Sequence, residues 1–237
     1  MNLYKYASPS AFSPLAGKLI PWFAIPAAIL FAAGLYIGFF VAPTDFQQGD
    51  AYRIMFIHVP AAWMGMFLYV LLAFYAGIGW AFNARLASMM ASSLAVTGAM
   101  FTFLSLVTGS LWGKPTWGTW WVWDARMTST LILLFLYIGF ISLQSAIDDV
   151  RRADRAGAVL ALVGVINIPI IYFSVQWWQT LHQGATIRIL GKPSIAPPML
   201  AALLIMLGAC WLYSIAVVLA RLRTIILERE RIAHSQS

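Results

Sequence analysis

The chain has 237 residues, of which 62% are hydrophobic and only 10% charged, and its mean hydropathy is +0.81. A water-soluble domain carries about a quarter charged residues, so this composition excludes a water-facing globule and makes the bilayer the solvent. The formal net charge of +7 calls for no nucleic-acid partner, because most of the excess falls in loops on one side of the membrane.

Apolar runs predict an all-α polytopic membrane protein in which residues 1–237 form a single membrane domain. The six expected spans cover residues 19–41, 54–82, 86–111, 128–147, 157–176 and 199–220. Each is near the roughly 20 residues that cross the hydrocarbon core. The runs lack the alternation of a barrel strand, so the backbone must satisfy itself as helix. The first run follows Lys5 and Lys18, is too long for a signal h-region, and is read as an uncleaved helix. An outward segment, residues 42–53, then leads into I-M-F-I-H-V-P and the second span, which carries His58 near its outer end. That span is long for one crossing, so its first residues are expected to stand above the membrane plane.

After the third span comes W-G-K-P-T-W-G-T-W-W-V-W-D-A-R, residues 112–126, which holds five of the eleven tryptophans: Trp112, Trp117, Trp120, Trp121 and Trp123. Its two glycines and one proline predict a loop. Tryptophan offers a wide π face and one N–H donor, so this density beside cations and a carboxylate suggests a platform for a flat apolar ligand with acidic edges, such as a porphyrin. Interfacial belts also gather tryptophan, but at both membrane faces. Here seven of eleven lie on one side once Trp177 and Trp178 are counted. Within the motif, G-S-L-W-G-K-P-T resembles a phosphate loop but has one residue too few between its glycines, has Pro115 at the hydroxyl position and follows no strand. It is not a nucleotide site.

The fourth span leads to the mixed-charge inner loop D-D-V-R-R-A-D-R and the fifth span, beyond which residues 177–198 form a further outward segment containing His182. The last span holds Cys210, the chain's single cysteine, so neither a disulfide nor a C-x-x-C-H haem attachment is available. His234 lies in the polar tail. With both termini on one side, that side carries Lys5, Lys18, Arg85, Arg151, Arg152, Arg155, Arg221, Arg223, Arg229 and Arg231, against Arg53, Lys114, Arg126, Arg188 and Lys192 opposite. Ten cations against five predict cytoplasmic termini.

His58 and His182 thus share the tryptophan-rich face. Position alone leaves each open as an interfacial polar residue or as a ligand to iron, for which imidazole from two separate elements is a common clamp. Arg53, Lys114, Arg126, Arg188 and Lys192 are candidates for pairing with carboxylates of such a ligand. Asp124 can orient Arg126 or cap the helix that starts near Ala125. Two other classes stay open. A b-type cytochrome electron-transfer subunit would normally bury paired histidines deep in its spans, and a permease subunit would want charged or discontinuous helices at mid-membrane.

The run W-G-T-W-W-V-W-D-A-R resembles the signature of the WWD-motif haem-handling family of bacterial cytochrome c maturation. The likeness extends through F-T-F-L-S-L-V-T-G-S-L-W-G-K-P, L-L-F-L-Y-I-G, I-P-I-I-Y-F-S-V-Q-W-W-Q-T-L-H-Q-G and D-F-Q-Q-G-D-A-Y-R-I-M-F-I-H-V-P-A-A, about residues 20–225. Six spans without a large outer domain favour the small members of the family over its synthetase and ligase members. The resemblance implies that the WWD segment cradles haem b (iron protoporphyrin IX) as cargo, with His58 and His182 as its iron ligands. It implies presentation at the periplasmic face of the inner membrane to a haem chaperone, CcmE, which forms the covalent bond through its own histidine. It further implies assembly with the ATP-binding-cassette subunits CcmA and CcmB and the small membrane subunit CcmD. On this reading the chain is a carrier and not an enzyme.

Overall fold

The computed structural model describes residues 6–178, 180–182 and 195–235, with backbone alone for residues 232–235. The described residues form an all-α bundle. Its helices are α1 (Pro9–Tyr36), α2 (Met55–Phe82), α3 (Arg85–Trp117), α4 (Ala125–Ala146), α5 (Val150–Gly164), α6 (Asn167–Trp177) and α7 (Pro197–Ser235). A π-helical stretch, Ile37–Val41, extends α1, and a 3-10 turn, Asp50–Ile54, leads into α2. Six helical segments among the described residues are long and apolar enough to cross a membrane, with α5 and α6 together making one.

The fifth span is therefore two helices rather than one. The break falls at Val165 and Ile166. Pro169, in the first turn of α6, has no N–H to give to a carbonyl of the preceding turn, so the interruption tolerates it. Other boundaries differ from the hydropathy reading at their ends. Helix α7 runs 39 residues, well past residue 220, because the polar sequence beyond the apolar run keeps good helix formers. The 3-10 turn Asp50–Ile54 precedes the second span, whose helix starts at Met55.

Helices α2 and α3 make a tight hairpin. Asn83, in the left-handed region at φ 49°, closes α2, a conformation its short polar side chain tolerates. The two helices approach closely because small residues meet at their seam: a Cβ at Gly65 would sit 2.7 Å from the Thr102 hydroxyl. In lipid, where no hydrophobic difference drives helix association, such close packing supplies the contact energy. The main core gathers Met64, Leu68, Tyr69, Leu72, Leu133, Tyr137 and Phe140, all fully buried. Helix α1 packs chiefly on α7, and Gly17 near its start lies against Arg223 near the end of α7. The first and last helices thus bring the start of α1 and the end of α7 to the same end of the bundle. The opposite end carries the start of α2, the end of α3, the start of α4 and the end of α6, and there the two histidines sit.

Candidate haem-binding cleft

The segment 112–126 is only partly a loop. Helix α3 continues to Trp117 and stops at Gly118, whose φ of 79° places it in the left-handed region while its N–H bonds to the Lys114 carbonyl at 3.0 Å. Lys114 returns the favour by donating to the Gly118 carbonyl at 3.1 Å. Pro115, which led to the expectation of a loop from residue 112, stands in the last turn of α3, where helix continuation matters least. The irregular chain is confined to residues 118–124, and Arg126 already belongs to α4. Trp112 and Trp117 are therefore rigid helix residues, five apart, and Trp120, Trp121 and Trp123 sit on the loop proper.

His58 enters from the first turns of α2. Its Nδ1 lies 3.1 Å from the Thr108 hydroxyl of α3. That hydroxyl spends its proton on the Leu104 carbonyl at 2.6 Å, so toward His58 its oxygen accepts, and Nδ1–H is the donor. In that tautomer Nε2 carries no proton and is the nitrogen with a lone pair to offer. The imidazole lies against Gly109, where a Cβ would come 3.0 Å from its Cε1, and the Trp112 ring meets it edge-on at 5.7 Å. Trp112 is itself held by an indole hydrogen bond of 2.8 Å to Gln48 Oε1.

His182 is built in the same manner from different parts. Its Nδ1 is 3.1 Å from Asp124 Oδ2, and the Trp117 ring lies edge-on at 5.0 Å. A carboxylate accepting from Nδ1–H fixes the tautomer and leaves Nε2 unprotonated. Asp124 also caps α4, its Oδ1 accepting from the Met127 N–H at 2.7 Å. Of the two roles open to Asp124 the cap is realised; its other oxygen holds His182, with no hydrogen bond to Arg126. Burial lowers the His182 pKa below its ordinary value, outweighing the opposing attraction of Asp124, so the ring is neutral at pH 7.

Both histidines line one narrow cleft of about 30 Å³, together with Met66, Gly109, Arg126 and Ile171. Arg126 reaches the Ile171 carbonyl only at 3.5 Å, and no ion pair holds it among the described residues. The indole N–H of Trp121 and the hydroxyl of Thr180 are buried without partners. Native structures pair nearly all such groups, and Arg126, a half-buried lining cation without an ion pair among the described residues, suits a ligand with acceptor atoms.

The other expected residues divide. Trp120 and Trp123 are 54% and 75% exposed, and Trp123 packs edge-on to Trp121. They form an open apolar surface beside the cleft, whereas Trp112 and Trp117 brace the imidazoles instead of offering their faces. Arg53 does not face the cleft's ligand space: it is consumed by Asp50 at 2.9 Å and by the Gly38 and Ala42 carbonyls at 2.6 and 3.1 Å. Lys114 is committed to closing α3 and lies over the Trp120 ring at 5.9 Å. Arg188 and Lys192 lie outside the described residues. Sequence reasoning missed Thr108, Gly109 and Gln48, the supports of His58 and Trp112. The available signal was the four-residue spacing of Ser105, Gly109 and Gly113 on one helical face, the two glycines of which fall within the false phosphate loop.

Comparison with known proteins agrees with this architecture. Residues 2–237 match the family described as Heme exporter protein C. The chain is 47% identical to the Heme exporter protein C of Escherichia coli strain K12 over 97% of its own length and 93% of that protein. It is likewise 47% identical to the Heme exporter protein C of Bradyrhizobium diazoefficiens, over 97% and 87%. A match of 46% over 68% of both chains links it to a ccmC-like mitochondrial protein of Marchantia polymorpha, provisionally described as acting in cytochrome c biosynthesis. By near full-length coverage at this identity, the chain belongs to the Heme exporter protein C family.

Proposed function

We propose that the chain binds haem b as cargo at the periplasmic face of the bacterial inner membrane and hands it to the chaperone CcmE for c-type cytochrome biogenesis. The observation that carries this reading is the convergence of His58 and His182 on one cleft with Arg126, each imidazole tied down at Nδ1. Two imidazoles with free Nε2 atoms can hold iron six-coordinate, which limits its side reactions with oxygen. Arg126 supplies the positive charge a propionate requires. The exposed Trp120 and Trp123 cover apolar macrocycle while leaving an edge open to a partner.

Both histidines stand at one end of the bundle rather than deep within it, which favours a carrier over an electron-transferring cytochrome. The excess of Lys and Arg at the other end supports a periplasmic histidine end. Delivery needs a grip that can open. His58 sits on the continuous helix α2, whereas His182 follows the short helix α6, separated from α5 by the break at Val165 and Ile166. His182 is therefore the ligand that lets go when the chaperone's histidine enters. The family name fits a complex with other exporter subunits, in which CcmA and CcmB supply nucleotide chemistry and CcmD completes the membrane part. The chain itself makes no bond and is a carrier.

The test is transfer in vesicles holding the chain and CcmE. Haem-loaded protein should convert the chaperone to its covalently loaded form, and a His182→Ala chain should fail to do so. Equal loading of CcmE from free haem, with or without the chain, would remove the carrier role.

A further inference from the structure

The end of the bundle away from the histidines holds a second and larger cleft, of about 720 Å³, lined by Trp80, Asn83, Arg85, Ser88, Arg151, Asp154, Arg155 and Arg229 among others. We propose that this cleft is a binding site for the headgroup of an anionic phospholipid. Four arginines from three helices converge there, and the one carboxylate among the lining residues is already spent. Asp154 is gripped by Arg229 through two bonds of 2.9 and 3.0 Å, a fork that ties the start of α5 to the end of α7 and forms a fixed wall.

Arg85, Arg151 and Arg155 are exposed and make no ion pair among the described residues. Three guanidinium groups line the concavity, with Asp149 near Arg151 but not ion-paired to it, and they match the bidentate geometry of a phosphodiester. Asn83 and Ser88 add uncharged polar groups suited to a glycerol or second phosphate oxygen.

The apolar surroundings select a lipid over a soluble anion. Trp80 is 49% exposed and lines the cleft, and neighbouring Phe82 is 77% exposed. These rings stand at the terminus of a 28-residue helix that spans about 42 Å, which is the level of the headgroups. A basic pocket between helices with aromatic residues at that depth takes lipid phosphate on its cations and acyl chain on its rings. No histidine lines the cleft, so a porphyrin arriving there would find no imidazole for its iron.

Native mass spectrometry of the detergent-purified chain, titrated with phosphatidylglycerol or phosphatidylcholine, reads the preference directly. Wild type should retain phosphatidylglycerol in strong preference, and the pair Arg151→Gln with Arg155→Gln should lose about 30-fold of it. The pair Arg151→Lys with Arg155→Lys keeps charge but not the fork, and should fall between them; it serves if the first pair folds poorly. Unchanged preference in both variants would overturn the proposal. So would displacement of the lipid by millimolar inorganic phosphate, which would make the site one for free phosphate. If the variants keep their lipid but no longer co-purify with the other subunits of the complex, the cleft is a protein interface and the lipid assignment is wrong.

Discussion

Asp124 and His182 meet at 3.1 Å, and the same carboxylate that holds the imidazole also accepts from the Met127 N–H at 2.7 Å. One side chain thus couples the start of α4 to the orientation of a ligand from a different segment. Replacing Asp124 by Ala should cost about 1 kcal/mol for the lost cap and weaken haem retention on the order of tenfold or more, as removal of groups supporting a ligand does. Asp124→Asn keeps one acceptor oxygen where two are used and sets an N–H₂ donor at the other position, so it should keep the cap while losing part of the haem. A titration of the apoprotein with haem, beside thermal unfolding of each variant, separates the two losses.

His58 has its own support, and it is steric as well as polar. The Gly109 Cα faces the imidazole so closely that an alanine methyl would press on Cε1 at 3.0 Å. Gly109→Ala should displace the ring and yield a mixture of high- and low-spin haem, while helical content measured by circular dichroism stays unchanged. Thr108→Val, which removes the acceptor at Nδ1 but preserves shape, should weaken ligation without displacing the ring.

How much of this was legible in the sequence depends on the kind of force involved. The spans were readable, because twenty apolar residues have one physical use. The pairing of His58 with His182 on one face followed from the count of spans between them. The end of α3 was misjudged because Gly113 and Pro115 look like loop residues, yet only Gly118 adopts the left-handed conformation that ends the helix. The break within the fifth span was invisible to hydropathy, since Val165 and Ile166 are as apolar as their neighbours. The sorting of cations was also out of reach: nothing in composition says that Arg53 is used up by backbone carbonyls while Arg126 is left half-buried without a carboxylate.

That sorting has a measurable consequence. If the guanidinium pairs with a propionate as proposed, Arg126→Gln should reduce haem retention several-fold while the haem that remains keeps its bis-imidazole spectrum. Arg53→Gln should instead lower the melting temperature, through the lost tie between the end of α1 and the turn before α2, with the spectrum per bound haem unaltered. Thermal unfolding and absorption on the same samples check both.

The protonation of His182 gives a further handle. Its folded pKa lies below the ordinary value near 6.5, first because the ring is buried, with Asp124 opposing. The folded state then binds fewer protons at this site than the unfolded chain, so its contribution to stability is present above pH 6.5 and is lost as the pH falls below it. An NMR titration of the apoprotein should place the His182 midpoint below 6.5. A midpoint above 6.5 would mean that the attraction of Asp124 exceeds the cost of burial.

The most direct measurement is the absorption spectrum of the haem-loaded, detergent-purified chain beside His58→Ala and His182→Ala. A low-spin, six-coordinate Soret and α/β pattern in the wild type, turned high-spin or lost in each variant, is the result expected of two imidazoles on one iron. An unchanged spectrum in both variants, or a wild type that takes up no haem when supplied with it, would contradict the bis-histidine site and leave the tryptophan-rich end as a docking surface for a protein.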